Sequence, residues 1–173
     1  MVDSTELLFS GDFLTLVRES VELPGNIRTR LEIIRHPGAS AVLALDASAR
    51  LCMLRQYRHA AGGWLWEIPA GKLDGAEDPQ LAARRELEEE TGYRADTWSS
   101  LGEIVPSPGF CDEVIHLFLA RDLILGEVNR EVDEVMEVHW LETEQLDAMV
   151  LDGRIRDAKT LAALYRFRLS GNT

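Results

Sequence analysis

Hydrophobic and polar positions alternate with a strand-like period through most of the first 68 residues, and the pattern turns helical only at residue 78. Residues 6–9 and 13–21 read as strands on either side of Ser10-Gly11-Asp12, a hairpin turn signal. Residues 30–35 follow and stop at the turn His36-Pro37-Gly38. Residues 39–45 are small and apolar without a break, as a buried strand requires. Residues 51–57 and 64–68 read as two more strands, the second ended by Pro69. Asp78-Pro79 then opens a helix, with Asp78 as N-cap and Pro79 at the first helical position. Residues 80–91 are rich in Leu, Ala, Arg and Glu, and Gly92 closes the helix. Strands resume near 100–105, 114–120 and 136–141, and two helices close the chain around 142–151 and 157–169. Strand-rich halves around one central helix predict an α+β, mixed α/β sandwich. Residues 1–35 read as a strand extension preceding a main domain over 36–173.

Composition narrows the class. With 173 residues, 46% hydrophobic and 28% charged, the chain suits one globular domain with a sizeable core. It has no run of 18 apolar residues, so no membrane helix is expected, and its start lacks the basic-then-apolar order of a signal peptide. Two cysteines, Cys52 and Cys111, make no disulfide framework, and a cytoplasmic protein is the expectation. A net charge of −12 argues against a nucleic-acid partner. It leaves room for a small phosphorylated substrate, because bound divalent cations invert the local field of an acidic site.

The acid is densest at residues 86–90. One reading is a solvated helix face, with Arg84–Glu88 and Arg85–Glu89 as i,i+4 pairs. Against it, Glu86 and Glu90 stack on one face with Glu89 on its flank, and like charges at that spacing repel. A divalent cation that prefers oxygen ligands, Mg²⁺ or Mn²⁺, reverses that penalty. The helix also follows a loop with Gly71 and Gly75, where backbone can approach a ligand closely.

The segment Gly71-Lys72-Leu73-Asp74-Gly75-Ala76-Glu77, then Arg85-Glu86-Leu87-Glu88-Glu89-Glu90-Thr91-Gly92-Tyr93, resembles the Nudix box at every position, counting Tyr93 as apolar. The resemblance implies a Nudix-type α/β/α sandwich and hydrolysis of a nucleoside diphosphate linked to another moiety. It implies metal ligation by Glu86, Glu89, Glu90 and the carbonyl of Ala70. Glu77 is expected near the site, on a metal through water or on Arg85, and Arg85 is expected to orient the carboxylates. Flanking segments resemble the ADP-ribose pyrophosphatase branch: Arg55-Gln56-Tyr57-Arg58-His59, Trp66-Glu67-Ile68-Pro69-Ala70, Ser107-Pro108-Gly109-Phe110 with Asp112-Glu113, His36-Pro37-Gly38-Ala39, and Asp157-Ala158-Lys159-Thr160. The likeness spans residues 30–165 and puts Pro108, Gly109 and Glu113 among the substrate contacts.

Guanidinium forks bind phosphate well, so Arg58 and Arg55 are candidates for phosphate or ribose contacts. Three apart on a regular strand, they face opposite sides unless the strand ends or bulges between them. Trp64 and Trp66 share a side, and packing is the simpler reading for them. A second acidic loop carries Glu127, Glu131, Asp133 and Glu134, and in similar enzymes a glutamate here activates the attacking water. Glu134 is the match here, with Glu131, Asp133 or a merely solvated acidic loop as alternatives. His139 reads as packed. The branch also implies a homodimer whose N-terminal strands cross between subunits, placing Glu32, Arg28 or Arg30 near the nucleoside. The leading expectation is Mg²⁺-dependent cleavage of ADP-ribose to AMP and ribose 5-phosphate. The alternatives are GDP-mannose or another nucleoside diphosphate sugar or dinucleotide, and an ADP-ribose sensor that does not cut.

Overall fold

The computed structural model describes residues 1–126 and 135–171. Strands β1 (Val2–Ser10), β2 (Thr15–Leu23) and β3 (Ile27–Arg35) form an antiparallel sheet of that order. The first hairpin turns where the sequence predicts. The second turns at Gly25 and Asn26, both at positive φ (86° and 60°), and lengthens β3 beyond the sequence-based span. Central β2 buries Val17 and Val21, while Leu7, Phe9, Ile27 and Leu31 stay exposed. Contacts to the rest of the chain are narrow. Ile34 donates to the Phe110 carbonyl (2.7 Å) and accepts from the Asp112 amide (3.1 Å), Arg35 pairs with Asp112 (2.8 Å), and the Phe13 ring meets His36 edge-on.

The main body holds β4 (Ala39–Ala44), β5 (Leu51–Arg58), a 3₁₀ turn (His59–Ala61), β6 (Gly63–Glu67), β7 (Ala70–Lys72), α1 (Pro79–Thr91), β8 (Tyr93–Ile104), β9 (Ile115–Leu125), β10 (Met136–Leu141), α2 (Thr143–Leu151) and α3 (Ala158–Leu169). Two sheets form, in the orders β7-β4-β9-β8 and β10-β5-β6. β4 runs parallel to β9 and antiparallel to β7, which sets Ala41 between Leu117 and Ala70. All six residues of β4 are buried, and their alternation divides the core. Ala41 and Leu43 join Met53, Leu117 and Leu119 under α2 and α3, through Leu146, Met149, Ala163 and Phe167. Val42, Ala44 and Cys52 join Ala83 and Leu87 of α1. This is the expected mixed α/β sandwich, with α1 on one side of the strands and α2 and α3 on the other.

The caps fix where the helices point. Asp78 accepts from the amides of Gln80 (2.9 Å) and Leu81 (3.2 Å), and Gly92 takes φ 76° at the other end of α1. Such an N-cap is worth about 1 kcal/mol. Asp157 caps α3 by accepting from the Thr160 amide (3.0 Å), and Thr160 Oγ1 accepts from the Ile68 amide (3.0 Å). That second bond ties the start of α3 to the segment leading into β7. Three strand features differ from the sequence reading. β7 was not expected, β8 begins at Tyr93 directly after the helix cap, and β9 runs on to Leu125. The two cysteines are free. No helix of the described residues is long and apolar enough to cross a membrane.

Candidate active site

A cleft of about 610 Å³ opens where α1, β5, β7 and the start of α3 meet. At one end, α1 anchors Ala83 and Leu87 in the core, so Glu86 and Glu90 are carried on its buried side. Glu90 is 1% exposed and accepts from the Ala70 amide at 2.9 Å. Glu86 lies against Gly71 so closely that a Cβ there would fall 1.9 Å from Glu86 Oε1. Only glycine permits that approach of backbone to carboxylate.

Arg85 organises these acids. Its Nε and Nη2 donate to Glu77 (3.3 and 3.0 Å), and its Nη1 donates to Glu86 (2.6 Å) and Glu89 (3.2 Å). Nη2 also reaches the Lys72 carbonyl at 3.1 Å. The Glu77 carboxyl is held below its ordinary range, first by the Arg85 hydrogen bonds and against the opposing effect of burial. The same pairs raise the Arg85 value further above its ordinary one. Glu77 also accepts from the Asp74 amide at 3.2 Å, which closes the loop between β7 and α1.

At the other end Glu67 is 2% exposed and holds two cations. Arg58 donates to both its oxygens (3.0 and 3.1 Å), and Lys159 Nζ lies 2.5 Å from Oε2 and 3.2 Å from Asp157. Burial pushes the Glu67 carboxyl up, but Lys159 and Arg58 together outweigh it and hold the value below the usual carboxylate range.

The expected site residues divide as follows. Ala70, Glu86, Glu89, Arg85, Arg58 and Glu113 line the cleft, and Glu90 lies behind Ala70. Glu77 sits on Arg85, and Glu113 is 3.7 Å from His36 Nδ1. Arg55 does not line the cleft. β5 stays regular past it, so it faces away, pairs with Glu137 (3.3 Å) and stacks over Trp64 (4.7 Å). Pro108 and Gly109 are exposed in the turn before Cys111, and Pro106 lines the cleft in their place. Glu32 pairs with Arg18 on the N-terminal sheet (2.8 Å), away from the cleft of its own chain, and Arg28 pairs with Glu22 there. Glu134, with Glu131 and Asp133, lies outside the described residues. Trp66 packs on the core and against His139. Sequence reading gave no role to Gln56, Lys72 or Phe13, which line the cleft. For Gln56 the signal was its position two residues before Arg58, on the same strand face.

The oxygen-only donors at the Glu86 end suit a hard divalent cation. Among the described residues no three His, Cys, Asp or Glu side chains close around one point as a metal cage. The Arg85 guanidinium bridges Glu86 and Glu89 there. A second hollow of about 430 Å³, beside Arg84, Arg94 and Trp98, contains none of Ala70, Glu86, Glu89 or Glu90.

The model of the NUDIX domain matches residues 34–164. This chain belongs to the Nudix family. It is 42% identical over 166 residues to the ADP-ribose pyrophosphatase of Bacillus subtilis (strain 168), covering 95% of this chain and 90% of that one. It is 40% identical over 167 residues to the methanol dehydrogenase activator of Bacillus methanolicus, with the same shares covered. A crystal structure of an ADP compounds hydrolase shares the fold, with a TM-score of 0.85 over 100% of this chain and 96% of that one at 19% identity. Glu77, Glu86, Glu89 and Glu90 are the carboxylates of the Nudix box, and the chain is a Nudix hydrolase.

Proposed function

We propose that this Nudix hydrolase cleaves ADP-ribose to AMP and ribose 5-phosphate with Mg²⁺ as its metal, Mn²⁺ being able to substitute. The observation that carries the reading is the gathering of Glu86, Glu89 and Glu90 against Ala70 and Gly71, in a chain 42% identical to an ADP-ribose pyrophosphatase. The carboxylates and the Ala70 carbonyl would hold the metal. A divalent cation in such a site neutralises diphosphate oxygens and lowers the pKa of bound water. The chain's own residues do the rest. Arg85 sets the orientation of Glu77, Glu86 and Glu89 through its hydrogen bonds. Gly71 lets backbone reach the carboxylates, and Arg58 holds phosphate or ribose oxygens at the other end. Glu134, the glutamate that the resemblance to similar enzymes points to, would accept the proton of the attacking water. Water attacks one phosphorus and the other phosphate leaves, with no covalent intermediate.

We further propose that residues 1–35 are an extension to a domain of residues 36–173, and that they join two chains. The exposed Leu7, Phe9, Ile27 and Leu31 support this, since apolar surface of that kind gains by burial against a second copy. Glu32 would then approach the neighbouring chain's cleft. Free cysteines suit a cytoplasmic setting.

The test is product analysis with purified protein, Mg²⁺, ADP-ribose, GDP-mannose and a diadenosine polyphosphate. Preferred conversion of ADP-ribose to AMP is the expected result. Preference for GDP-mannose would move the substrate, and tight ADP-ribose binding without cleavage would replace the enzyme by a sensor.

A further inference from the structure

Gln56 is a buried polar residue in the cleft that the chemistry above leaves without a role. β5 carries Leu54 fully into the core, and Gln56 and Arg58 follow on the same face. Gln56 is 4% exposed, and its carboxamide has no hydrogen-bond partner among the described residues. No enclosed side-chain nitrogen or oxygen of the described residues lacks a partner. The carboxamide nitrogen and oxygen of Gln56 therefore retain some exposure, and Gln56 lines the cleft. At the cleft a ligand group can take the place of water as the hydrogen-bond partner of that amide.

The surroundings decide what the ligand group is. Near Gln56, the positive charges of Arg58 and Lys159 are matched by the negative charges of Glu67 and Asp157. That cluster is neutral as a whole, and Gln56 itself adds no charge. A carboxamide donates and accepts, and so does a hydroxyl. We propose that Gln56 is a specificity-determining residue, whose carboxamide hydrogen-bonds a hydroxyl of the sugar carried on the far side of the diphosphate. This assignment rests on the ADP-ribose reading above.

The test compares two non-cleavable ligands that differ only in that sugar, α,β-methylene-ADP-ribose and α,β-methylene-ADP, titrated in Mg²⁺ against wild type and Gln56→Met. The variant is expected to weaken the sugar-bearing ligand by about tenfold to a hundredfold and the sugar-free ligand by no more than about twofold. Its ligand-free melting temperature is expected to equal or exceed that of wild type, because the amide has no partner to lose. Gln56→Leu repeats the comparison if the Met side chain fits poorly. Equal weakening of both ligands, or of neither, overturns the assignment. Wild type that neither cleaves ADP-ribose nor binds its methylene analogue overturns the substrate reading itself, and this assignment with it.

Discussion

Two carboxylate clusters flank the one cleft, and they differ in how cations are placed among them. Around Glu67 the charges cancel, since Arg58 and Lys159 face Glu67 and Asp157. Around Arg85 the carboxylates crowd together: its guanidinium meets Glu77, Glu86 and Glu89, and Glu90 accepts from the Ala70 amide nearby. A self-neutral buried cluster holds its geometry without help from solution, although removing one member leaves a stranded charge. Carboxylates gathered on one helix face repel, and a divalent cation relieves that repulsion. The first arrangement suits a scaffold and binding wall, and the second is where the proposed metal would sit.

The contrast breaks most visibly at Glu90. Glu90→Gln keeps an oxygen for the Ala70 amide and loses the charge, so turnover in Mg²⁺ should drop by about 10²–10⁴-fold with the fold intact. Near-parental activity in a folded variant would refute the ligand assignment. Gly71→Ala drives a methyl group into the Glu86 carboxylate, and kcat/KM should fall by about 10²-fold, the usual result of displacing a catalytic group by about 1 Å. An unchanged rate would mean that Glu86 need not sit there.

At the neutral end the effect should appear in stability. Glu67→Gln strands Arg58, leaves Lys159 with Asp157 alone, and should cost about 2–3 kcal/mol in denaturant unfolding, less than a fully enclosed pair because Arg58 is 41% exposed. The smallest effect is the pH dependence. The Glu67 value is lowered from 4.5, so its stabilisation is fully present above that pH and is lost as pH falls through the lowered value. Melting temperatures followed from about pH 6 to pH 3 should show a shallower acid limb in Glu67→Gln than in wild type. Parallel limbs would remove Glu67 from the account.

The acidic end was legible in the sequence because its signals are local. Asp78 and Gly92 bracket α1, the 3.6-residue period puts Glu86 and Glu90 on one face, and Glu77 lies eight residues from its partner Arg85. The neutral end was not, because its bonds are long-range. Lys159 meets Glu67 across 92 positions, and no local pattern announces such a pair. β7 escaped for a related reason. Ala70, Gly71 and Lys72 have no alternation of their own and become a strand only through pairing with β4. Alternation did place Arg55 and Arg58 on opposite sides of β5, and regular pairing with β6 settled which of them lines the cleft. Pro108 and Gly109 stand exposed in their turn, and of that segment Pro106 lines the cleft.

The most direct test of the central claim is Mn²⁺ binding followed by electron paramagnetic resonance on wild type, Glu67→Gln, and the double variant Glu86→Gln/Glu90→Gln. Binding by wild type and Glu67→Gln, with loss in the double variant, is the predicted result. Equal Mn²⁺ binding by all three proteins, or none by wild type, would contradict it.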